Sequence, residues 1–171
     1  MAARHILLLG DPTLWRKCAP VRDIAAPAVR QAVRDLRDTL ADFRKRNGFG
    51  RGIAAPQVGI LKRIIYIHFP REGIDGAFIN PRIIRKSKTK IRLWDDCFSF
   101  PDLLVRVERA RQVAVACLDG EGRKHVIIAD GALSELLQHE IDHLDGILAV
   151  QRAIDGRSFA LRGELKTGQG K

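Results

Sequence analysis

Apolar residues recur at helical spacing from residue 28 onward, at steps of four and three that place them on one helix face. These residues are Val29, Val33, Leu36, Leu40 and Phe43. Charged residues fill the other faces, and the pair Asn47-Gly48 is typical of a helix end. This segment therefore predicts an amphipathic helix whose role is packing.

Short segments rich in β-branched residues occupy the middle of the chain. We predict strands at 63–68, 77–79, 83–85, 90–93, 103–107, 112–118 and 125–129. A second helix is predicted from Gly131 to Leu144, with Asp130 as its N-terminal cap and Asp145-Gly146 at its end. A helix, then many strands, then a helix predicts an α+β fold with antiparallel or mixed β-sheets.

Length and composition indicate one globular domain over residues 1–171, since 46% of the residues are hydrophobic and 29% are charged. We predict an ordered core over about 1–155 and a basic tail over 156–171. No apolar run approaches the ~20 residues that cross a bilayer, and the N-terminal stretch is too short for a secretory signal. Three cysteines without CxxC spacing predict a reducing, cytoplasmic location.

The charge balance is strongly positive, with 30 Lys and Arg against 20 Asp and Glu, a net +10. Such a surplus is typical of proteins with a polyanionic neighbour such as the ribosome. The densest basic stretch, 82–92, has no aromatic platform and no helix-turn-helix pattern. We therefore predict no specific nucleic-acid motif, and a basic but otherwise ordinary enzyme explains the charge equally well.

The second predicted helix carries HEIDH at 139–143, which is an HExxH motif. His139 and His143 are one helical turn apart, so both rings can reach one metal ion. Glu140 follows the first histidine and can accept a proton from water that the metal activates. A pair of structural histidines is the alternative interpretation of the same motif.

A third metal ligand is not obvious after the motif, where the chain offers Asp145, Asp155 and Glu164. Before the motif, Cys97 lies in the segment WDDCFSFP, and a thiolate is a strong ligand for Zn²⁺ or Fe²⁺. Cys117 lies in an apolar run and is expected to be a small buried hydrophobe. Cys97 is therefore the preferred third ligand.

Three segments, in this order, resemble the motifs of the peptide deformylase family. The segment GRGIAAPQ at 50–57 resembles G-apolar-G-apolar-A-A-x-Q, and DDCFS at 95–99 resembles E-G-C-L-S. The segment QHEIDHLDGIL at 138–148 resembles Q-H-E-x-D-H-L-x-G. The resemblance covers about residues 5–150. It implies a deformylase-like fold around the HExxH helix, and removal of the formyl group from the N-terminal formyl-methionine of nascent polypeptides.

The resemblance also implies the metal site and its chemistry. Cys97, His139 and His143 would bind one divalent ion per chain, typically Fe²⁺, with Zn²⁺, Ni²⁺ or Co²⁺ able to replace it. Glu140 would act first as general base and then as general acid. The catalytic water would occupy the fourth metal position.

Four further positions have roles that the resemblance implies. The side-chain amide of Gln57 and the backbone N–H of Phe98 would stabilise the oxyanion. Gly50 and Gly52 would lie on a strand edge that pairs with the nascent peptide.

Two charged residues depart from the family pattern in the pocket for the methionine side chain. Arg51 stands where the family has an apolar residue between two glycines, and Glu135, four residues before His139, also replaces an apolar residue. We predict that they form an ion pair at the pocket wall, because either charge buried alone would be costly. The alternative is that both side chains turn to solvent.

The segment before the cysteine also departs from the pattern, with Asp95-Asp96 in place of Glu-Gly. The resemblance implies that Asp95 pairs with Arg109, although its side chain is one methylene shorter than that of glutamate. Asp96 replaces a glycine, which matters if the backbone there needs a positive φ.

The leading interpretation is a metal-dependent deformylase. A hydrolase of the same fold acting on another N-acyl or amide substrate is favoured by Arg51, Glu135 and Asp96. A non-catalytic, ribosome-associated metal protein is suggested by the charge, but such a protein needs neither Glu140 nor Gln57. A zincin-type peptidase fits least, because its third ligand would lie upstream.

Overall fold

The structure is a computed structural model that describes residues 3–168. Its helices are α1 (Pro27–Asn47), α2 (Gly131–Leu144) and α3 (Arg162–Gly168). Its strands are β1 (Gly52–Ala54), β2 (Ile64–Phe69), β3 (Ile74–Lys86), β4 (Lys90–Asp96), β5 (Leu103–Ala110), β6 (Gln112–Leu118), β7 (Lys124–Asp130) and β8 (Phe159–Leu161). No helix among these residues is long and apolar enough to span a bilayer.

The strands form two antiparallel sheets. The larger has the order β1-β2-β3-β6-β7, and the smaller has the order β4-β5-β8. The predicted α+β class is therefore confirmed, with antiparallel rather than mixed pairing within the sheets.

The larger sheet is packed between the two long helices, which explains why the first four residues of β2, 64–67, are all apolar. Ile65 and Ile67 face a core that includes Leu137 and Ile141 of α2. The alternate residues of β2, Ile64 and Tyr66, face a second core formed with α1. Because successive side chains of a strand point to opposite faces, a strand that is covered on both sides has no polar alternation.

Strand β3 is one long strand where the sequence predicts two short ones. Its pairing with β6 shifts register between Ile79 and Arg82 and again between Ile83 and Arg85. Asn80 has a φ of 51°, and its side-chain amide bonds to both backbone groups of Val21. The two shifts break the alternation of side chains, so the sequence pattern reads as two elements.

Two strands of three residues were not predicted from the residue pattern, although the family resemblance implied a strand edge at Gly50 and Gly52, where the first of them begins. One is β1, in the segment of small residues before Gln57, and the other is β8, which pairs Phe159–Leu161 with Leu103–Val105 of β5. The structure therefore differs from the predicted boundary at residue 155, because the following segment completes the smaller sheet. Residues 169–171 of the predicted tail lie outside the described residues.

The predicted helix ends are mostly confirmed. Gly48, with a φ of 75°, ends α1 in the left-handed conformation that favours glycine. Asp130 occupies the N-cap position of α2, but the predicted side-chain cap is wrong. Its carboxylate instead accepts a hydrogen bond of 2.6 Å from Gln112 Nε2 on the neighbouring strand.

Candidate metal centre and peptide pocket

Three ligand-type side chains converge between α2 and the turn after β4. One ligand atom from each of Cys97, His139 and His143 lies within 4.8 Å of the other two, and all three residues are buried. Cys97 Sγ is 3.3 Å from His143 Nε2, which is 3.2 Å from His139 Nε2. A thiolate with two imidazoles is a donor set that suits Zn²⁺ or Fe²⁺. The residues therefore fit a divalent ion.

The other two cysteines lie outside this cluster. Cys18 and Cys117 are buried in the apolar core beneath α2. Burial raises the pKa of each thiol to about 11, which disfavours the thiolate that a metal requires.

Asp95 lies behind the first histidine and connects it to a buried arginine. Its Oδ1 atom is 2.8 Å from His139 Nδ1, a contact that lacks the alignment of a hydrogen bond. Its Oδ2 atom accepts a 2.8 Å hydrogen bond from Arg109 Nη2, and Arg109 Nη1 donates to Asp142 at 2.7 Å. Burial raises the pKa of Asp95, but His139 and Arg109 outweigh burial and hold that pKa below its usual value. An anionic Asp95 can therefore orient His139 with Nε2 toward the cluster.

Glu140 is buried beside the same cluster, and its Oε2 atom has no hydrogen-bond partner among residues 3–168. Its Oε1 atom lies against Gly52, where an added Cβ would be only 2.7 Å away. Burial, opposed by the charge of His139, raises the pKa of Glu140 to about 7. A carboxyl group with these properties is suited to accept and return a proton.

Gln57 points its amide N–H toward the cysteine. Its Oε1 atom accepts a 2.9 Å hydrogen bond from the backbone N–H of Ala54. That bond leaves Nε2 to donate to Ser99 Oγ at 3.3 Å and to Cys97 Sγ at 3.5 Å. Sequence reasoning assigned no role to Ser99, although its position two residues after Cys97 was a signal.

A cavity of about 360 Å³ opens next to the cluster. Its lining includes Cys97, His139, Glu140 and Gln57 together with the glycine segment 50–52. Its apolar surface comes from Phe49, Phe98 and Leu136. Two of the three candidate metal ligands, Cys97 and His139, therefore face a space large enough for part of a peptide.

Arg51 and Glu135 both line this cavity and contact each other. Arg51 Nη2 donates to Glu135 Oε2 at 2.9 Å, with 38% of the arginine side chain and 7% of the glutamate side chain exposed. Burial raises the pKa of Glu135, and Arg51 offsets only part of that rise. The predicted ion pair is therefore present, and the alternative of two solvent-directed side chains is not.

Strand β1 is the outermost strand of its sheet among the described residues and pairs only with β2. The glycine segment leading into it is tightly packed. Gly50 has a φ of +125°, and a Cβ there would be 2.6 Å from Phe98 Cζ. A strand edge that has no strand partner among the described residues and lies beside a cavity can pair with an extended peptide.

Asp96 causes no backbone strain, because Asn80 alone has a positive φ among the non-glycine residues from 3 to 168. Its carboxylate accepts a 2.9 Å hydrogen bond from Arg162 Nη2. Sequence reasoning missed this arginine, which lies in the predicted tail, and it also missed Asp142. The position of Asp142 inside the HEIDH motif was an available signal for the latter.

Comparisons of the sequence and of the structure with known proteins all indicate the same family. A sequence model of the family described as polypeptide deformylase matches residues 3–158. The peptide deformylase of Thermomicrobium roseum is 41% identical over 162 residues, which covers 91% of this chain and 88% of that protein. The peptide deformylase of Synechococcus elongatus, solved in complex with actinonin, has a TM-score of 0.80 and 34% identity, covering 88% of this chain and 79% of that one. The peptide deformylase of Thermotoga maritima has a TM-score of 0.82 and 27% identity, covering 91% of this chain and 100% of that one.

Proposed function

This chain belongs to the polypeptide deformylase family, and from that premise we propose how its own residues perform the reaction. The protein is a hydrolase that removes the N-formyl group from nascent polypeptides. The observation that carries the assignment of roles is Glu140, a buried carboxyl whose Oε2 atom has no hydrogen-bond partner among residues 3–168, beside the cluster of one thiol and two imidazoles.

The family is metal-dependent, and Cys97, His139 and His143 would hold one divalent ion per chain. The family resemblance favours Fe²⁺ as the native ion, and Zn²⁺, Ni²⁺ and Co²⁺ are possible replacements because the donor set accepts all of them. When bound, the ion supplies a Lewis acid that activates water and polarises the formyl oxygen. Asp95 supports the site by orienting His139, and Arg109 keeps Asp95 charged.

Glu140 moves the proton in this proposal. Its carboxylate accepts a proton from the attacking water and then donates it to the amine as the bond to formate breaks, so that formate and a free N-terminus leave. Burial raises the pKa of the Glu140 carboxyl, which strengthens it as a base for the attacking water. Gly52 leaves room for the carboxyl, because a side chain there would collide with Oε1.

Two N–H donors stabilise the negative charge that develops on the formyl oxygen. We assign this role to Gln57 Nε2 and to the backbone N–H of Phe98. Support for Gln57 comes from its hydrogen bond to Ala54, which fixes the amide with Nε2 directed toward Cys97. A donor that is already oriented needs no rearrangement during the reaction.

The peptide would bind as an additional strand along β1, with Gly50 and Gly52 close to its backbone. Its first side chain would enter the cavity lined by Arg51, Glu135 and Leu136. The ion pair makes one wall of this cavity polar. A second candidate function, hydrolysis of another N-acyl or amide substrate by the same machinery, is favoured by this pair.

The formylated nascent peptide is the substrate, and we propose in addition that the protein works in the cytoplasm, near the ribosome. A net charge of +10 supports an attraction to ribosomal RNA. Cosedimentation with ribosomes over a salt series is the test, since binding to phosphates weakens steeply with salt. Cosedimentation that is absent even at low salt contradicts this proposal.

The experiment for the main proposal is a formate-release assay on formyl-Met-Ala-Ser. The protein is purified without oxygen, because both Fe²⁺ and a thiolate ligand oxidise, and is loaded in parallel with Fe²⁺, Ni²⁺ and Zn²⁺. We expect formate release by the wild type and a loss of roughly 10²–10⁴-fold in Glu140→Ala, the usual contribution of a general acid–base.

The two candidate functions differ in their outcome in this assay. The substrate panel includes acetyl-Met-Ala-Ser and formyl peptides that begin with alanine or glutamine. One metal bound per chain with no formate released from any formyl peptide, but with cleavage of another acyl group, supports the second candidate. If Glu140→Ala is as active as the wild type, Glu140 is not the general base and acid in either candidate function.

A further inference from the structure

Arg162, the first residue of α3, contacts both ends of the segment that carries the cysteine ligand. We call residues 96–101 the cysteine loop. Arg162 Nη2 donates to Asp96 Oδ2 at 2.9 Å, and Nε donates to the carbonyl oxygen of Pro101 at 2.9 Å. Cys97 and Phe98 lie between these two anchor points, so one guanidinium spans the part of the loop that faces the metal centre.

The same guanidinium packs on the wall of the peptide cavity. Arg162 Cζ is 4.1 Å from the ring centroid of Phe49, which lines the cavity. Phe49 meets Phe98 edge-on at 6.4 Å, and both contact Phe43, which stacks on Phe98 at 3.8 Å. Arg162 therefore bears on Phe98 indirectly, through its hydrogen bonds to Asp96 and Pro101 on the same loop and through the ring of Phe49.

Backbone hydrogen bonds fix the position of the Arg162 Cα atom, from which the side chain extends. The backbone N–H of Arg162 donates to the carbonyl oxygen of Asp102 at 2.8 Å, and the preceding Leu161 pairs with Leu103. The side chains of Arg162 and Asp96 are 25% and 33% exposed. Ion pairs this open contribute only about 0–1 kcal/mol to stability, whereas a planar fork with two directed bonds restricts geometry. The arrangement therefore suits positioning more than stabilisation.

We propose that Arg162 is a positioning residue, which holds the cysteine loop so that Cys97 Sγ and the Phe98 N–H keep their places at the reaction centre. The inference rests on the function proposed above. The proposed role of Arg162 also explains Asp96, which departs from the family pattern and forms an ion pair with Arg162. The match to the family model ends at residue 158, so Arg162 lies outside it.

The test compares Arg162→Ala and Arg162→Lys with Arg157→Ala, an exposed arginine of the same segment that makes none of these contacts. Each variant is loaded with Co²⁺, and the visible absorption per bound ion reports the geometry of the thiolate ligand. Formate release from formyl-Met-Ala-Ser gives kcat and KM separately. The cobalt absorption and the rate of formate release are both divided by the amount of bound metal, so that neither depends on how much of the protein is folded.

We expect Arg162→Ala to alter the cobalt spectrum and to lower kcat roughly tenfold, at the lower end of the 10–100-fold effects of residues that support metal ligands. Lysine retains the charge but not the planar fork, so Arg162→Lys should recover only part of the loss. Arg157→Ala should match the wild type in both readouts.

A cobalt spectrum and kcat of Arg162→Ala equal to those of Arg157→Ala would overturn the proposal. If Arg162→Ala does not fold, Arg162→Lys and Asp96→Asn decide, and wild-type spectra in both overturn it. A wild type that binds cobalt but releases no formate contradicts the proposed function, whereas the spectra of the variants still test the role of Arg162.

Discussion

Two of the arginine–carboxylate contacts beside the candidate metal centre differ chiefly in access to water. Behind the histidines, the side chains of Arg109 and Asp95 are 4% and 1% exposed. At the peptide cavity, Glu135 is equally enclosed, but more than a third of Arg51 reaches solvent. Both side chains of the rear pair are therefore shielded from water, whereas in the cavity pair only the glutamate side chain is shielded.

Because of this difference in exposure, we expect the two ion pairs to have different roles. A buried charge that loses its partner cannot regain hydration, so the rear pair fixes the geometry of Asp95 and His139 rigidly. Arg51 already reaches water and can move while Glu135 stays in place, so the cavity pair can adjust more readily than the rear pair to what enters. We therefore expect the rear pair to control stability and the cavity pair to control selectivity.

The largest effect should come from breaking the rear pair with Arg109→Met. Asp142 would still be bound by Arg152, but Asp95 would keep only His139. Loss of one partner of a buried pair costs about 3–5 kcal/mol, measured here as the free energy of unfolding in urea. The control is Arg92→Ala, which breaks an exposed pair with Glu108 and should cost at most about 1 kcal/mol. An equal loss of unfolding free energy in Arg109→Met and Arg92→Ala would show that the buried rear pair contributes no more to stability than an exposed pair.

An intermediate effect is expected from Arg51→Ala, which leaves the carboxylate of Glu135 enclosed without its counter-charge. We expect a loss of about 1–3 kcal/mol, the usual cost of an unsatisfied buried group. Burial already raises the pKa of Glu135, and removing Arg51 should raise that pKa further. The folded variant then binds more protons than the unfolded chain, so its stability falls as pH rises. Urea unfolding at pH 5 and pH 8 should show the larger loss at pH 8, and a pH-independent loss would contradict this account.

The smallest change in stability should come from Glu135→Leu, because Arg51 can turn to solvent. We expect a shift within about 1 kcal/mol, as for an exposed pair. The cavity wall becomes apolar, so the ratio of kcat/KM for formyl-Met over formyl-Ala peptides should rise by roughly tenfold, within the range of hydrophobic pocket contacts. A variant unchanged in both stability and this ratio would show that the ion pair does not shape the pocket.

Much of the site could be predicted because its core lies on one helix. The spacing of His139 and His143 puts both rings on one face of α2, whatever surrounds that helix. Glu140 follows from the same local geometry. The three short motifs extended the prediction to Gln57 and Cys97, although Cys97 and His143 are 46 residues apart in the chain.

Elements without a local pattern were missed. The strands β1 and β8 have three residues each, too few to show alternation, and each exists because a longer neighbour pairs with it. The split prediction for β3 failed at the register shifts, where side chains leave the two-residue period. The capping role of Asp130 failed because Gln112, close only in the folded sheet, binds its carboxylate instead.

The sequence by itself determined the α+β class, the long helices and the histidine pair with its neighbouring glutamate, because each depends on spacing within one element. The family resemblance implied a strand edge at Gly50 and Gly52, but only the tertiary structure decided that β1 pairs with β2 alone among the described residues, and that Arg162 spans the cysteine loop. Those contacts join residues far apart in the chain, and their existence depends on how sheets and helices pack.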